Sequence, residues 1–450
     1  MNDQPDAFTE RLVGFVDDLD ADRLPASVQH ECVRALVDAV GCMVGGGRHP
    51  LVNLAHGALS EFFGPAQAQL FGRGERTDML HAALLNGLAG AAYSFFDTYS
   101  DALLHPGVPA AAVLLALSER NPVSGPEFIA AFAAGMEVAC RLTKCTALPP
   151  AEADMGWSQT GIICGAATAL AAGKLLGLGR DQLGWALGIA ASEAAGTRAE
   201  HGSMAASLIF GHAPQTGLRA ALLASRGFTS SPRTIESRHG FASTFAKRPN
   251  LPALVEGLGE VFELLRNTYK PFPCGIVNNS SIDAMLQLKE QAGFESSTIA
   301  RIEMKVSKGA ATFGMRPNPV NEQEAKLSLH HWVAAAALHG RAGIAEGRLS
   351  VVQDPEIVRL RAAMNVEPDP SMAQDAAEMT VVFADGSKVH KRIEHCVGSI
   401  DTPMSDAQIE RKFIDQAGIV IGTDRAVDLA AACWKVASLP DVSVLAREAI

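Results

Sequence analysis

Apolar residues recur at helical spacing through the first half of the chain. Phe8, Leu12, Phe15 and Val16 mark one face of an opening helix, and Val28 to Val44 continues the period after a Pro25-Ala26-Ser27 start. The pattern predicts successive helices from Phe8 to about Arg226. Gly- and Pro-marked joints separate them at Gly45-Gly46-Gly47, His105-Pro106-Gly107, Leu148-Pro149-Pro150 and Ser230-Ser231-Pro232. Between Thr160 and Leu176, Gly161, Gly165, Ala169 and Gly173 recur every fourth residue, a stripe of small side chains that a neighbouring backbone can approach.

After Tyr269 the period changes. Ile302, Met304 and Val306 alternate with Glu303 and Lys305, as in a half-buried strand. Met379 to Phe383 and Lys388 to Ile393 flank Ala384-Asp385-Gly386-Ser387, a hairpin with an Asp-Gly turn. Between these strands an Ala-rich helix is predicted over Glu324 to Gly340, and Pro403-Met404-Ser405-Asp406 opens a final helix carrying Ile409 and Phe413. The expected architecture is mainly α: a large all-helical domain over 1–269, a smaller α+β lid domain over 270–398, and C-terminal helices over 399–450 that return to the helical domain.

Composition narrows the function. A chain of 450 residues, 48% of them hydrophobic, can bury a large core in two or three domains. Lys plus Arg number 38 against 49 Asp plus Glu, a net charge of −11, so the broad basic field that nucleic acid requires is missing. A few local cations could still hold an anionic metabolite. The longest nearly apolar stretch, Gly161 to Gly173, falls well short of the roughly 20 residues of a membrane span, so no membrane partner is expected. Met1-Asn2-Asp3-Gln4-Pro5-Asp6 is polar and acidic, unlike a secretory signal, and the cytoplasm is the expected compartment. Eight cysteines without a C-x-x-C pair make neither a disulfide framework nor a zinc motif, and adjacent His330 and His331 point in different directions on a helix. No metal site is expected.

Dinucleotide and P-loop fingerprints are absent, as are G-x-S-x-G and H-E-x-x-H. Polar residues instead gather in four joints, where a rigid helical scaffold presents functional groups. These are Phe96-Asp97-Thr98 through His105-Pro106-Gly107, Gly156-Trp157-Ser158-Gln159-Thr160, Arg198 through His201-Gly202-Ser203-Met204, and Tyr269-Lys270-Pro271-Phe272-Pro273-Cys274. Together with Glu324-Ala325-Lys326-Leu327-Ser328 and Pro403-Met404-Ser405 before Lys412-Phe413, they resemble the MmgE/PrpD family over nearly the whole chain. The resemblance implies a helical domain joined to an α+β lid, a cleft between them, a homodimer, and cofactor-free chemistry on small di- or tricarboxylates.

In that chemistry a proton next to a carboxylate is barely acidic, so its removal needs a positioned base and cations that hold the developing charge. The resemblance makes His105 the general acid or base and gives Lys270 the task of binding a carboxylate and stabilising the anion. Asp97 and Thr98 would orient the histidine or hydrogen-bond the substrate, and Ser158, Thr160, Arg198 and His201 complete the expected substrate-binding set. The chain departs from the family pattern at Ser94, Ser158, Ala206, Ile209 and Asn279, where the family carries an acid, a histidine, a lysine, a histidine and a histidine respectively. Arg198 and His201 lie close enough in sequence to replace the charge missing at Ala206. The expected function is a lyase of dehydratase type that abstracts an α-proton from a small carboxylic acid. An epimerase, isomerase or decarboxylase is the near alternative, and a catalytically silent carboxylate-binding homologue the distant one. Loss of the lysine slot points to a pocket less positive than the family pattern, and to a smaller or less charged acid than a tricarboxylate.

Overall fold

The computed structural model of the chain describes residues 7–147 and 156–450, so the expected joint at Leu148-Pro149-Pro150 lies outside the described residues. The opening period becomes helix Phe8–Asp18, which buries Phe8, Leu12, Val13 and Val16 on one face. Helix Ala26–Gly46 follows and runs two residues into the expected glycine joint. Helix Gly107–Ser118 is buried along its whole length, as an all-apolar helix must be. Around it stand Gly125–Thr146, opened by a capping box of Ser124 and Glu127, then Gln159–Leu175 and Met204–Ala224.

The small-residue stripe on Gln159–Leu175 serves packing, and its partners differ along its length. Gly161 meets the Ala195 carbonyl and Ile209, Gly165 meets Thr216, and Gly173 meets Leu183. From the facing helix, Gly217 lies against Thr168 and Ala169, where a Cβ would fall 2.1 Å from Thr168 Oγ1 and 2.6 Å from the Ala169 nitrogen. Gly217→Ala should therefore force the two helices apart and cost about 1–3 kcal/mol, read as a lowered Tm.

One hydrophobic core runs from Phe8 to Tyr269 and resumes with Met404, Ile409, Phe413 and Leu429, because helix Asp406–Ile421 packs on Ala26–Gly46. A second core runs from Cys274 to Cys396. It is built on a four-stranded sheet ordered Met364–Asp369, Ile299–Ser307, Ala377–Phe383, Lys388–Ile393. The first pair is parallel and the others antiparallel. Ile302, Met304 and Val306 turn inward towards helices Asn279–Lys289 and Leu329–His339, while Gly386 takes the positive φ (85°) of the expected hairpin turn. The molecule is thus mainly helical with a smaller α+β unit.

The predicted helix over Glu324 to Gly340 is two helices. Glu322–Ala325 ends, the chain breaks across Lys326, Leu327 and Ser328, and Leu329–His339 begins. Ser328 causes the break: its hydroxyl accepts from the His331 N–H (3.0 Å) as an N-cap and donates to the Arg316 carbonyl (2.5 Å). The break turns Lys326 towards the space between the two cores.

Candidate active site

A short antiparallel ladder builds the site. Thr98–Tyr99 pairs with Asn267–Thr268, with Thr98 opposite Thr268, and the Thr268 hydroxyl donates to the Thr98 carbonyl at 2.8 Å. The ladder brings the turn before His105 next to the strand end before Lys270. In that turn Ser94 adopts a left-handed backbone (φ 55°), uncommon for a residue with a Cβ. Its carbonyl accepts from Lys270 Nζ at 3.1 Å, and Nζ sits 3.9 Å from the centre of the Phe96 ring. Three residues on, the Asp97 carbonyl faces His105 Nδ1 at 2.9 Å. Lys412, on helix Asp406–Ile421, donates to the Phe95 carbonyl between them and pairs with Asp38 on helix Ala26–Gly46. Three carbonyls of one turn therefore hold Lys270, Lys412 and His105.

A carbonyl only accepts, so His105 carries its proton on Nδ1 and leaves the Nε2 lone pair free to act. Thr98 Oγ1 lies 3.1 Å from the same nitrogen, and Thr160 Oγ1 accepts the His105 backbone N–H at 3.2 Å. The ring packs against the contacting pair Phe96 and Phe210, at 4.6 and 5.7 Å between ring centres. Burial, helped by the charge of Lys270, holds the imidazole well below its ordinary pKa, so it is neutral. Burial also pushes Lys270 down to about 7.

The cleft between the two cores has a volume of about 500 Å³, well suited to a small metabolite. His105, Lys270, Ser158, Thr160, Arg198 and His201 all line it, so the structure brings six of the expected site residues together. Asp97 and Thr98 do not line it but stand behind His105. The Asp97 carboxylate is 1% exposed and accepts the Gly107 N–H at 3.0 and 3.2 Å, satisfying the first turn of helix Gly107–Ser118. A Cβ on Gly107 would fall 2.8 Å from that carboxylate, which is why glycine follows His105-Pro106. Burial, then the charge of Asp38, raises Asp97 to about 7. Ser158 caps helix Gln159–Leu175, and the Arg198 guanidinium lies 4.4 Å from the centre of the Phe313 ring. His201 is pushed down to about 4 by burial, Arg198 and Arg316.

Two further cations face the cleft that sequence reasoning did not assign to it, Arg316 and Lys326. Arg316 donates to the His201 carbonyl at 3.5 Å, and Lys326 to Gln323 Oε1 at 2.8 Å and to the Ala92 carbonyl. Burial holds Lys326 at about 8. Lys270, Arg198, Arg316 and Lys326 thus line a cleft with no carboxylate among the described residues. Arg316 and Lys326 add positive charge that the reading of Ala206 did not count. Ser94, Ala206 and Ile209 line it too, whereas Asn279 faces a neighbouring cavity. Outside the cleft, His395 Nδ1 sits 2.8 Å from Asp375 and 3.4 Å from Asp401. These three could share a metal ion, but the two carboxylates raise the His395 pKa, and an imidazolium between them accounts for the group.

Fold and site together define a mainly helical protein with an α+β second unit and an anion-attracting cleft where the two meet. Models of the MmgE/PrpD N-terminal domain and the MmgE/PrpD C-terminal domain match residues 10–253 and 272–436, and the chain belongs to the MmgE/PrpD family. It is 25% identical to the cis-aconitate decarboxylase of Mus musculus, across 98% of this chain and 93% of that protein. Identity to the Homo sapiens cis-aconitate decarboxylase is also 25%, across 98% and 94%. For the Aspergillus terreus cis-aconitate decarboxylase the figures are 25%, 97% and 94%. Among the described residues no helix is long and apolar enough to cross a membrane.

Proposed function

We propose that the protein is a lyase for a small di- or tricarboxylate, in which His105 moves a proton at the carbon beside a carboxylate and Lys270 holds the charge that develops there. One observation carries this reading: a neutral imidazole, tied through Nδ1 to the backbone, sits in a cleft lined by four Lys and Arg side chains and no described carboxylate. Such a cleft gathers polyanions and strengthens charge stabilisation by excluding water. Nε2 takes the α-proton, and the electron pair left on carbon spreads into the adjacent carboxylate as an enediolate beside the Lys270 ammonium. Asp97 and Thr98 act through His105 by fixing its tautomer and tilt, as Thr160 does through the backbone.

The same residues serve two outcomes that differ in how the carbanion forms. In elimination the electron pair left by the α-proton expels a β-hydroxyl, which Lys270 protonates. In decarboxylation no proton is removed first: the carbon–carbon bond to a carboxylate breaks, carbon dioxide leaves, and a proton is delivered to the carbanion that its electron pair forms. Lys270, an acid of about 7, is suited to that delivery. The names of the mouse, human and Aspergillus relatives favour decarboxylation, which replaces dehydration as the first reaction to test.

Incubating cis-aconitate, citrate and malate with the protein in deuterated water, followed by NMR, tests the reading. Carbon dioxide release with deuterium at carbon marks a decarboxylase, an unsaturated product with water loss marks a dehydratase, and exchange without net product marks an epimerase. A rise in Tm with every acid but neither exchange nor product would sink the lyase reading in favour of a silent binder. The pH profile adds a second check. Lys270 is charged only below about 7 in the free protein, so kcat/KM should fall as pH rises through that value. His105 is neutral down to well below 6.5, so the acid limb should lie below the usual histidine range.

A further inference from the structure

Beside the cleft lies a second cavity of about 380 Å³. Leu103, Ile276 and Val277 line both, so the two chambers adjoin at these residues. Leu103 holds a left-handed backbone (φ 53°), the only non-glycine residue besides Ser94 to do so among the described residues. The two chambers differ in chemistry. The first is cationic, whereas the second is walled by apolar side chains such as Met372 and Ile400 and carries Asp101, Asp375, Asp401 and the exposed Lys308. Those carboxylates are already engaged, Asp101 by Arg266 at 2.6 Å and the other two by His395.

Two amide donors remain without partners. Asn279 is 1% exposed, its Oδ1 accepts from Cys274 Sγ at 3.7 Å, and its Nδ2 has no acceptor. Nε2 of Gln374 is likewise unpartnered, and both residues line the second chamber. A buried donor left unpaired is costly and calls for an acceptor oxygen. A bare dicarboxylate or tricarboxylate is held by the first chamber alone and leaves both donors unmet. A tail ending in a carboxylate would face three acidic residues, and a tail ending in an ammonium would find those acids already paired.

We infer that the substrate spans both chambers, with its carboxylates among the cations of the first and an uncharged tail of a few carbons, bearing a carbonyl or hydroxyl oxygen for Asn279 and Gln374, in the second. This rests on the carboxylate-lyase reading of the first chamber. The test compares binding of cis-aconitate with binding of its analogues substituted by a 3-oxobutyl or a 2-carboxyethyl chain, by titration calorimetry on the full chain. The 3-oxobutyl analogue should bind at least about tenfold tighter than cis-aconitate and tighter than the 2-carboxyethyl analogue. Ile400→Trp fills the chamber from its mouth at a residue 39% exposed, so the fold should tolerate it. It should bring the 3-oxobutyl analogue to within about threefold of the parent, and Asn279→Leu, if it folds, should do the same. Equal binding of parent and 3-oxobutyl analogue, or a margin that survives Ile400→Trp, would overturn the tail chamber. Turnover in the same samples reports separately on the first chamber. Preferential binding of the tailed acid without turnover of any acid leaves the second chamber standing and removes the lyase reading, and turnover without preference does the reverse.

Discussion

Replacing His105 by alanine should lower turnover about a thousandfold, within the range that a positioned general base supplies. KM should move little, because on the proposed reading the substrate carboxylates lie among Lys270, Arg198, Arg316 and Lys326, which line the cleft, rather than on the imidazole. The loss should therefore appear in kcat, and steady-state kinetics with the processed acid checks it. The fold should survive. Removing the ring leaves the Asp97 carbonyl without its donor and vacates the space beside Phe96 and Phe210, but the Asp97 carboxylate still caps helix Gly107–Ser118. Turnover within tenfold of the parent protein would place the base elsewhere in the cleft.

The second large effect is on stability. Lys412 is 6% exposed and Asp38 is 2% exposed, and the lysine is the cation paired with that carboxylate. Lys412→Met should destabilise the protein by about 3–5 kcal/mol, because it leaves a buried carboxylate without its partner. Asp38→Leu combined with Lys412→Met removes both charges and should recover most of the Tm. Activity should not recover with it. The Phe95 carbonyl loses its donor in both variants, and the turn that aims Ser94 at Lys270 and Asp97 at His105 loses its brace. A double variant restored in both Tm and kcat would show that Lys412 contributes only packing.

The joints of the helical body are legible because glycine and proline mark them, and four of the expected site segments fall on those joints. His105, Lys270, Arg198 and His201 were readable for that reason, helped by the family resemblance. Arg316 was not: it follows the short helix Lys308–Gly314, with no period or motif to single it out. Lys326 was concealed inside what reads as one continuous Ala-rich helix, and only the N-cap role of Ser328 shows that the chain breaks there. Asp97 is legible as a neighbour of His105 but not in its direction. Its carboxylate answers an unpaired N–H at a helix start, and it is the backbone carbonyl that touches the histidine. Lys412 is legible only as part of the motif shared with the family, and nothing local singles out Asp38. Their pairing depends on the packing of two helices from opposite ends of the chain, which no local pattern encodes.

That pairing also bears on biosynthesis. Asp38 leaves the ribosome 374 residues before Lys412, an interval on the order of tens of seconds at typical elongation rates. Through that time the nascent helical body holds an acidic side chain whose burial favours the protonated form, and the turn at Ser94 to Asp97 lacks its brace. The sheet unit between them can fold first around its own core. Binding competence should then arrive late, when the last helices dock and Lys412 braces the turn, so ribosome-bound intermediates lacking residues 399–450 should be structured but bind the processed acid poorly.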